Sequence, residues 1–318
     1  MKLKFTLAAV LCCWLGLTMQ AQDKPKEVTL GWTQGGSLGL DLSGIGIINP
    51  RIGSGANRFG LGGIGGLFAN QKKEKAFWEN ALTLQLSIQR LGKTKLTDAS
   101  GFQKNLDLAR LTSRAGWKLR SDKLFFAVEG MVQSLLLKTY ASNYLEAQDS
   151  SDQVIARFLS PIELRLSPGL DYRPNVHYSI FYSPLSARLI YVADDSIAAR
   201  NIHGNDRGKN SSFQLGSNLV VKYTNKYFKE RVAANSAISL YSNYLKNPQN
   251  VDVLWTNNIS ISIGKGFSLD LLGELNYDDD VAVVRDRNDD GYYNLATDGS
   301  SKGPQITGAF LLKYSKIF

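Results

Sequence analysis

The sequence predicts an all-β fold: a transmembrane, antiparallel up-and-down β-barrel of about 12 strands, of the outer-membrane type. Three observations lead to this prediction. The chain alternates apolar and polar residues over long segments, long and short connections follow one another between them, and the last segment ends on an aromatic residue. A period of two places successive side chains on opposite faces of a strand.

Twelve segments alternate in this way. They span residues 28–44, 58–69, 77–92, 106–119, 124–140, 155–172, 177–192, 213–227, 232–245, 251–264, 267–277 and 305–318. Strands of soluble proteins average ~5–6 residues, whereas a tilted membrane strand needs ~9–11. A soluble sandwich also alternates, so the length of these segments is what favours a membrane barrel.

Two local features interrupt the pattern. The apolar parity changes at Ser183-Pro184 within the segment 177–192, which predicts a β-bulge. Residues 188–200 are the least strand-like stretch, and a short helix fits there.

The connections between segments alternate in length. Long ones follow odd-numbered segments at 45–57, 93–105, 141–154, 193–212 and 278–304, with 246–250 as the short exception. Short ones follow even-numbered segments at 120–123, 173–176, 228–231 and 265–266, with 70–76 as the longest. Short periplasmic turns alternating with longer external loops are typical of outer-membrane barrels.

The last segment resembles the terminal strand of bacterial outer-membrane barrels. Phe310, Leu312, Tyr314 and Phe318 share one face. In that class the last strand closes the barrel and carries the signal read by the insertion machinery. We therefore expect 305–318 to pair with 28–44, and we expect the barrel insertion machinery to be a partner.

The beginning of the chain predicts export. Lys2 and Lys4 precede an apolar stretch, 5–17, and Ala21 is a small residue before a cleavage point. We interpret residues 1–21 as a cleaved signal peptide and 22–318 as a single outer-membrane barrel domain. A lipoprotein signal on Cys12 or Cys13 is the alternative, but the preceding residues are not small. Because both cysteines lie in this segment, the mature chain is expected to lack disulfides and cysteine metal sites.

The chain is moderately basic. Its formal net charge is +9, and loss of Lys2 and Lys4 with the signal leaves +7. Basic proteins often bind nucleic acid, but an exported chain is expected to meet none. Outer-membrane lipid is the expected surrounding.

Charged residues on the polar face of a barrel strand must point into the lumen. A charge facing lipid costs ~2–4 kcal/mol at the bilayer midplane. Arg157, Glu163 and Arg165 in the segment 155–172, with Asp270 and Glu274 in 267–277, are therefore predicted to line the lumen.

One stretch resembles the start of a calcium-binding loop. Asp286, Asn288 and Asp290 occupy positions 1, 3 and 5, and Gly291 follows at position 6. The glutamate expected at position 12 is replaced by Thr297. An external calcium loop and a solvated acidic loop both remain open, and no other cofactor is expected.

Catalytic patterns are weak. His177 and Ser179 could form a base and a nucleophile, but nothing in the sequence places the third, orienting group. The glycines in 60–66 lack the Lys-Ser/Thr that a phosphate loop requires, and suit strand curvature better. We therefore expect that the protein is not an enzyme.

Several motifs occur in an order that resembles a known family. They are the stretch 31–37, the strand start 77–80, the pairs Ser160-Pro161 and Ser183-Pro184, and the stretches 168–174, 247–255 and 276–280. The chain resembles a family of Bacteroidota outer-membrane barrels catalogued as a domain of unknown function. The family typically has Asn-Trp where this chain has Gly31-Trp32. The resemblance implies the fold and an outer-membrane location, and it carries no catalytic residues.

Three functions follow as hypotheses. The first is passage or binding of a small solute or lipid in a polar lumen. The second is a structural or accessory barrel that partners an envelope complex through its loops. The third is an outer-membrane lipid hydrolase, which the scarcity of histidine disfavours.

Overall fold

The structure is a computed structural model that describes residues 30–48, 58–91, 102–141, 145–147, 150–279, 282–285, 287 and 299–317. The chain divides into two compact units, Met1–Leu30 and Gly31–Phe318. The second unit contains the fold, and Leu30 is the described part of the first. Among the described residues, no helix is long and apolar enough to cross a membrane.

The second unit is a closed, antiparallel barrel. Its twelve wall strands in the described part of the chain are β1 (Gly31–Ile48), β2 (Arg58–Lys72), β3 (Ala76–Leu91), β4 (Phe102–Lys118), β5 (Leu124–Ser134), β8 (Ile162–Tyr172), β9 (Tyr178–Tyr191), β10 (Ser211–Tyr227), β11 (Val232–Asn243), β12 (Asp252–Gly264), β13 (Phe267–Tyr277) and β16 (Gln305–Ile317). The remaining elements lie in connections: β6 (Thr139–Tyr140), β7 (Val154–Ala156), α1 (Asp195–Ala198), β14 (Val283–Val284) and β15 (Ser300–Ser301). The predicted fold class is confirmed.

The barrel closes through β1 and β16. They pair in antiparallel register from Ser37 opposite Ile317 to Ile48 opposite Ile306. All the other pairs in the wall join wall strands that follow one another along the chain. The predicted pairing of the last segment with the first is thus confirmed, and no wall strand is left with an open edge among the described residues.

Short connections gather at one end of the barrel, which we call the tight-turn end. They are residues 73–75, 119–123, 173–177, 228–231 and 265–266. The opposite end, the long-loop end, carries the connections at 135–161, 192–210, 244–251 and 278–304. The alternation of connection lengths was therefore predicted correctly.

The fifth and sixth predicted strands are too long. The wall strand β5 ends at Ser134 and not at 140, because the Leu136 and Leu137 amides donate to the Asp107 carboxylate, at 2.7 and 3.0 Å, and leave the sheet. Likewise β8 begins at Ile162 and not at 155, since Arg157 and Ser160 form a tight bridge with Leu159 at a φ of 62°. Sequence alternation continued through both turns and hid them.

The predicted bulge and the short helix are both present. The register of β9 shifts between Leu166 and Leu170 of β8, and again between Gly216 and Asn218 of β10, so the extra residues lie around Pro184. The helix α1 follows β9 and is capped by Asp194, whose carboxylate accepts from two backbone amides. Proline cannot donate to a ladder, which places the irregularity there.

The two faces of the wall differ in chemistry. Large apolar side chains are exposed on the outer face, and Leu38, Leu40, Leu166 and Phe310 are examples, the last at 54%. Aromatic pairs ring the tight-turn end of this face: Trp32 with Trp78, Trp117 with Phe126, Tyr178 with Tyr223, and Phe267 with Tyr314. Polar and charged side chains occupy the alternate positions and point to the inner face, which encloses the lumen.

Candidate functional site

A cavity of about 520 Å³ identifies the inner face of the wall. Its lining comes from nine strands, β2 to β5 and β8 to β12, which meet only inside the barrel. Arg110 of β4, Met131 of β5 and Arg165 of β8 are among the lining residues. The cavity therefore belongs to the lumen, and the strand register assigns the remaining inward positions.

A row of polar side chains crosses five neighbouring strands inside the lumen. Arg110 Nε donates to Gln133 Oε1 at 2.9 Å, and Gln133 Nε2 donates to Glu163 Oε2 at 3.3 Å. Arg188 grips Glu163 with two nitrogens, at 2.8 and 3.0 Å, and also reaches Gln214 at 3.4 Å. The bidentate pair is the strongest contact of the row, because two parallel charge-assisted bonds hold it.

Arg165 lies on the same inner wall with few partners. Its Nη2 contacts the Met131 sulfur at 3.3 Å, and its buried Nε has no hydrogen-bond partner among the described residues. Arg110 likewise has a neutral acceptor, Gln133. Within the described residues, neither guanidinium has a carboxylate at ion-pair distance, in contrast to Arg188.

A second, denser cluster lies toward the tight-turn end and centres on the fully buried Asp171. Its carboxylate accepts from Arg173 Nε at 2.7 Å and Ser179 Oγ at 2.9 Å, and Arg114 Nη2 lies 3.0 Å away. Arg173 reaches across the lumen to Glu79 of β3 at 3.1 Å. Burial alone would lower the pKa of Arg173, but Glu79 and Asp171 outweigh it and raise the pKa.

Aromatic rings complete this cluster. Arg114 sits 4.5 Å from the ring centre of Phe181, and Arg173 sits 4.1 Å from that of Phe77. Phe77 and Phe181 pack with Ala127 in one buried apolar group. Cation–π contacts of this kind strengthen when water is excluded. The tight-turn end of the lumen is therefore filled by side chains along β3, β5, β8 and β9.

The opposite wall of the lumen, formed by β10 to β13 and β16, is lined by smaller side chains. A cavity of about 580 Å³ lies beside Lys222, Glu274, Thr307 and other residues of β10 to β13 and β16. Asp270 of β13 is buried, and its carboxylate accepts from Ser260 at 2.5 Å and from Lys313 Nζ at 3.4 Å. This wall carries smaller polar groups than the β4–β9 side.

The structure distributes the predicted lumen residues between two regions. Glu163 and Arg165 lie in β8, and Asp270 and Glu274 lie in β13, all with inward parity. Arg157 differs from the expectation, because it precedes β8 and lies outside the wall strands. Its guanidinium pairs with Asp194 at 2.8 Å, at the long-loop end.

The other predicted site residues have these positions. Asp286, Asn288 and Asp290 of the suggested calcium loop lie outside the described residues, as does Phe318. Phe310, Leu312 and Tyr314 expose their side chains on the outer face of β16.

The histidine and serine pair does not form a base and nucleophile in the part of the chain that is described. His177 Nδ1 lies 3.1 Å from the Thr224 carbonyl oxygen, and the Ser179 hydroxyl donates to Asp171. Ser179 therefore belongs to the buried cluster around Asp171.

Sequence reasoning missed Arg110, Arg114, Asp171 and Arg188 as lumen residues. Each lies on the polar parity of a segment that was recognised as a strand. The same parity rule that selected Glu163 and Arg165 would have found Asp171 in the same segment, 155–172, and, applied to segments 106–119 and 177–192, would have found the three arginines.

The fold and this lumen define a class: a twelve-stranded, closed antiparallel barrel with a charged interior. A family model described as "Protein of unknown function (DUF3078)" matches residues 49–140, less than a third of the chain. The match agrees with the expected likeness to a domain of unknown function. No curated protein matches the chain.

Solved structures with a similar arrangement are outer-membrane barrels of low sequence identity. The translocator domain of the autotransporter NalP from Neisseria meningitidis is 8% identical, with 91% of this chain and 90% of that chain covered and a TM-score of 0.44. An outer membrane channel from Pseudomonas putida F1 is 12% identical, with 93% and 100% covered and a TM-score of 0.45. The outer membrane channel DcaP of Acinetobacter baumannii is 11% identical, with 90% and 97% covered and a TM-score of 0.34.

Proposed function

We propose that this protein is an outer-membrane barrel whose polar lumen passes or binds a small solute. The observation that carries the proposal is the pair of lumen cavities, of about 520 and 580 Å³, lined by charged and amide side chains. Cavities of this size suit small organic molecules, since ligand pockets generally span ~300–1,000 Å³.

The chemistry of the outer face supports the membrane location. Leucines and phenylalanines are exposed along the strands, and exposed apolar surface on this scale needs an apolar surrounding. The aromatic pairs at the tight-turn end correspond to an interfacial girdle. In this proposal the tight-turn end faces the periplasm, residues 1–21 serve as the export signal, and the chain belongs to the Bacteroidota barrels that its motifs resemble.

Reconstitution tests the proposal. Purified protein in planar bilayers should give stepwise conductance, and proteoliposomes should swell in small sugars or amino acids. Folded insertion should be checked by heat-modifiable migration on gels. Folded protein that gives neither current nor uptake would remove the passage function.

An accessory role is the second candidate, and hydrogen bonds among the described residues of the long-loop end favour it. Lys104 donates to Asp107 at 2.6 Å, to Thr139 Oγ1 at 2.7 Å and to the Lys138 carbonyl, although it is buried. Asn205 links three further backbone or side-chain groups of the connection 192–210. A surface whose connections are held by such hydrogen bonds suits a protein partner. Site-specific photo-crosslinking from Lys209 in intact cells should then trap one discrete envelope protein, and labelling without such a product would count against this role.

A further inference from the structure

We propose that the lumen holds a binding site for a small anion, a solute with a carboxylate or phosphate group, centred on Arg110 and Arg165. The inference rests on the proposed solute barrel and names the class of solute. The 520 Å³ cavity is lined by four cationic side chains and two carboxylates: Arg110, Arg114, Arg165 and Lys222 against Glu79 and Glu129. The cavity wall therefore carries an excess of positive charge.

The carboxylates in this wall already have cationic neighbours. Glu79 pairs with Arg173 at 3.1 Å, and Glu129 lies 4.0 Å from Arg114. Arg114 in turn pairs with Asp171 at 3.0 Å. Once these ion pairs are taken into account, the excess positive charge of the cavity wall lies on Arg110, Arg165 and Lys222.

Arg110 and Arg165 have donor capacity that the protein leaves unused. A guanidinium has five N–H donors. The described contacts of Arg165 are one weak contact, to the Met131 sulfur, and its buried Nε has no partner among the described residues. Glu163, the carboxylate of the row, already accepts two hydrogen bonds from Arg188. An anion would supply acceptors to groups that are otherwise unsatisfied, which is where a ligand gains most.

The strand register brings the two arginines to one place. Arg110 lies opposite Gln133 of β5, and Arg165 lies opposite Met131, the next inward position on the same strand. Two like charges on either side of one strand repel each other across the cavity. An anion between them relieves the repulsion, and planar guanidinium forks match carboxylate and phosphate oxygens.

Binding measurements test the site directly. Detergent-solubilised wild type should bind inorganic phosphate or succinate in calorimetric titrations. Arg110→Gln with Arg165→Gln should weaken that binding roughly 10- to 100-fold, while Arg110→Lys with Arg165→Lys should weaken it less because the charges remain. Lys123→Gln with Lys209→Gln removes equal charge from exposed connections and should leave affinity unchanged. The titrations with phosphate and succinate separate the two anionic groups.

Two outcomes overturn the site: wild type that binds neither anion at millimolar concentration, or a folded double Gln variant that binds as tightly as wild type. Bilayer recordings in a salt gradient keep this apart from the passage function. Anion-selective current that loses its selectivity in the double Gln variant supports both proposals. Current without anion preference overturns the anion site and leaves passage standing, whereas Arg-dependent binding without current supports the site and removes passage.

Discussion

The charge of Asp171 should stabilise the barrel more than any exposed acidic residue. Asp171→Asn keeps the side-chain size and removes the negative charge that lies 3.0 Å from Arg114 and 2.7 Å from Arg173. Asp171 is fully buried and the Arg114 side chain is 9% exposed, so water replaces little of the lost attraction. Breaking a buried ion pair from one side generally costs about 3–5 kcal/mol.

The structure places the expected loss near the lower end of that range, at about 3 kcal/mol. Arg173 is partly exposed and keeps Glu79, so solvent and a second carboxylate reduce its share. Asparagine can still accept from Ser179. Arg114 is left with Glu129 at 4.0 Å, which is too distant to replace Asp171.

The assay is urea unfolding of the protein in phospholipid vesicles, followed by tryptophan fluorescence. Asp122→Asn is the matched control, since its ion pair with Lys118 is on the surface and its side chain is 89% exposed; solvent screens such a pair, and no measurable change in stability is expected there. Combining Asp171→Asn with Arg114→Gln should cost less than the sum of the two changes, because the second removes the orphaned cation. A loss below about 1 kcal/mol for Asp171→Asn would refute the reasoning.

Three further predictions use other parts of the barrel. Leu166→Arg places a charge on the outer face and should destabilise by about 2–4 kcal/mol in vesicle unfolding, whereas Thr256→Arg on the inner face should cost far less; equal losses would contradict the assignment of the faces. Asp279 accepts a hydrogen bond from Lys302 at 2.6 Å, which together with Tyr277 lowers its pKa. The stabilisation that the Asp279–Lys302 pair contributes is therefore fully present above the ordinary aspartate pKa and is lost only as the pH falls through the lowered value. Protection of the peptide bonds beside Asp279 and Lys302 from proteolysis should persist at pH 4.5 and vanish in stronger acid; loss already near neutral pH would contradict it. Deletion of Phe318 should impair insertion without reducing synthesis, measured as the ratio of membrane-extracted to total protein, and undiminished extraction would argue against an insertion signal there.

Much of the fold could be predicted from the sequence because each wall strand has one apolar face. The segment 267–277 coincides with β13, and most other strands begin and end within a few residues of their predicted bounds. The failures occurred where polar groups outside the sheet replaced the ladder. After β5, the Asp107 carboxylate accepts a hydrogen bond from the backbone amide that would otherwise continue the strand. Before β8, the bridge between Arg157 and Ser160 forms a turn, so the strand cannot begin earlier. Contacts of this kind do not change the local alternation of apolar and polar residues, so the sequence pattern does not predict these strand ends.

The lumen site was predictable in kind and not in detail. Parity assigns a charged residue to the interior, but it does not show which charges pair. Glu163 and Arg165 are two residues apart and follow the same pattern, yet Glu163 is gripped by Arg188 while Arg165 lacks a carboxylate partner among the described residues. That difference depends on the register between β8 and β9 and on the bulge at Pro184, which sequence spacing does not fix to one residue.

The interior of the barrel is asymmetric, because the side chains on its two sides differ in size and type. Arginines and aromatic rings fill the tight-turn end along β3 to β9, where Asp171 is fully buried. The inner positions of β11, β12 and β16 carry smaller groups, such as Ala237, Thr256 and Ala309, around the larger cavity. Under the proposed function, a solute would meet the arginine-rich wall on one side and, on the other, a wall of smaller side chains in which Lys222 and Glu274 carry opposite charges. Under the same proposal, the charge of the β4–β8 wall would select the solute and the small side chains of the β11–β16 wall would set the space available to it, so substitutions could change the two properties independently.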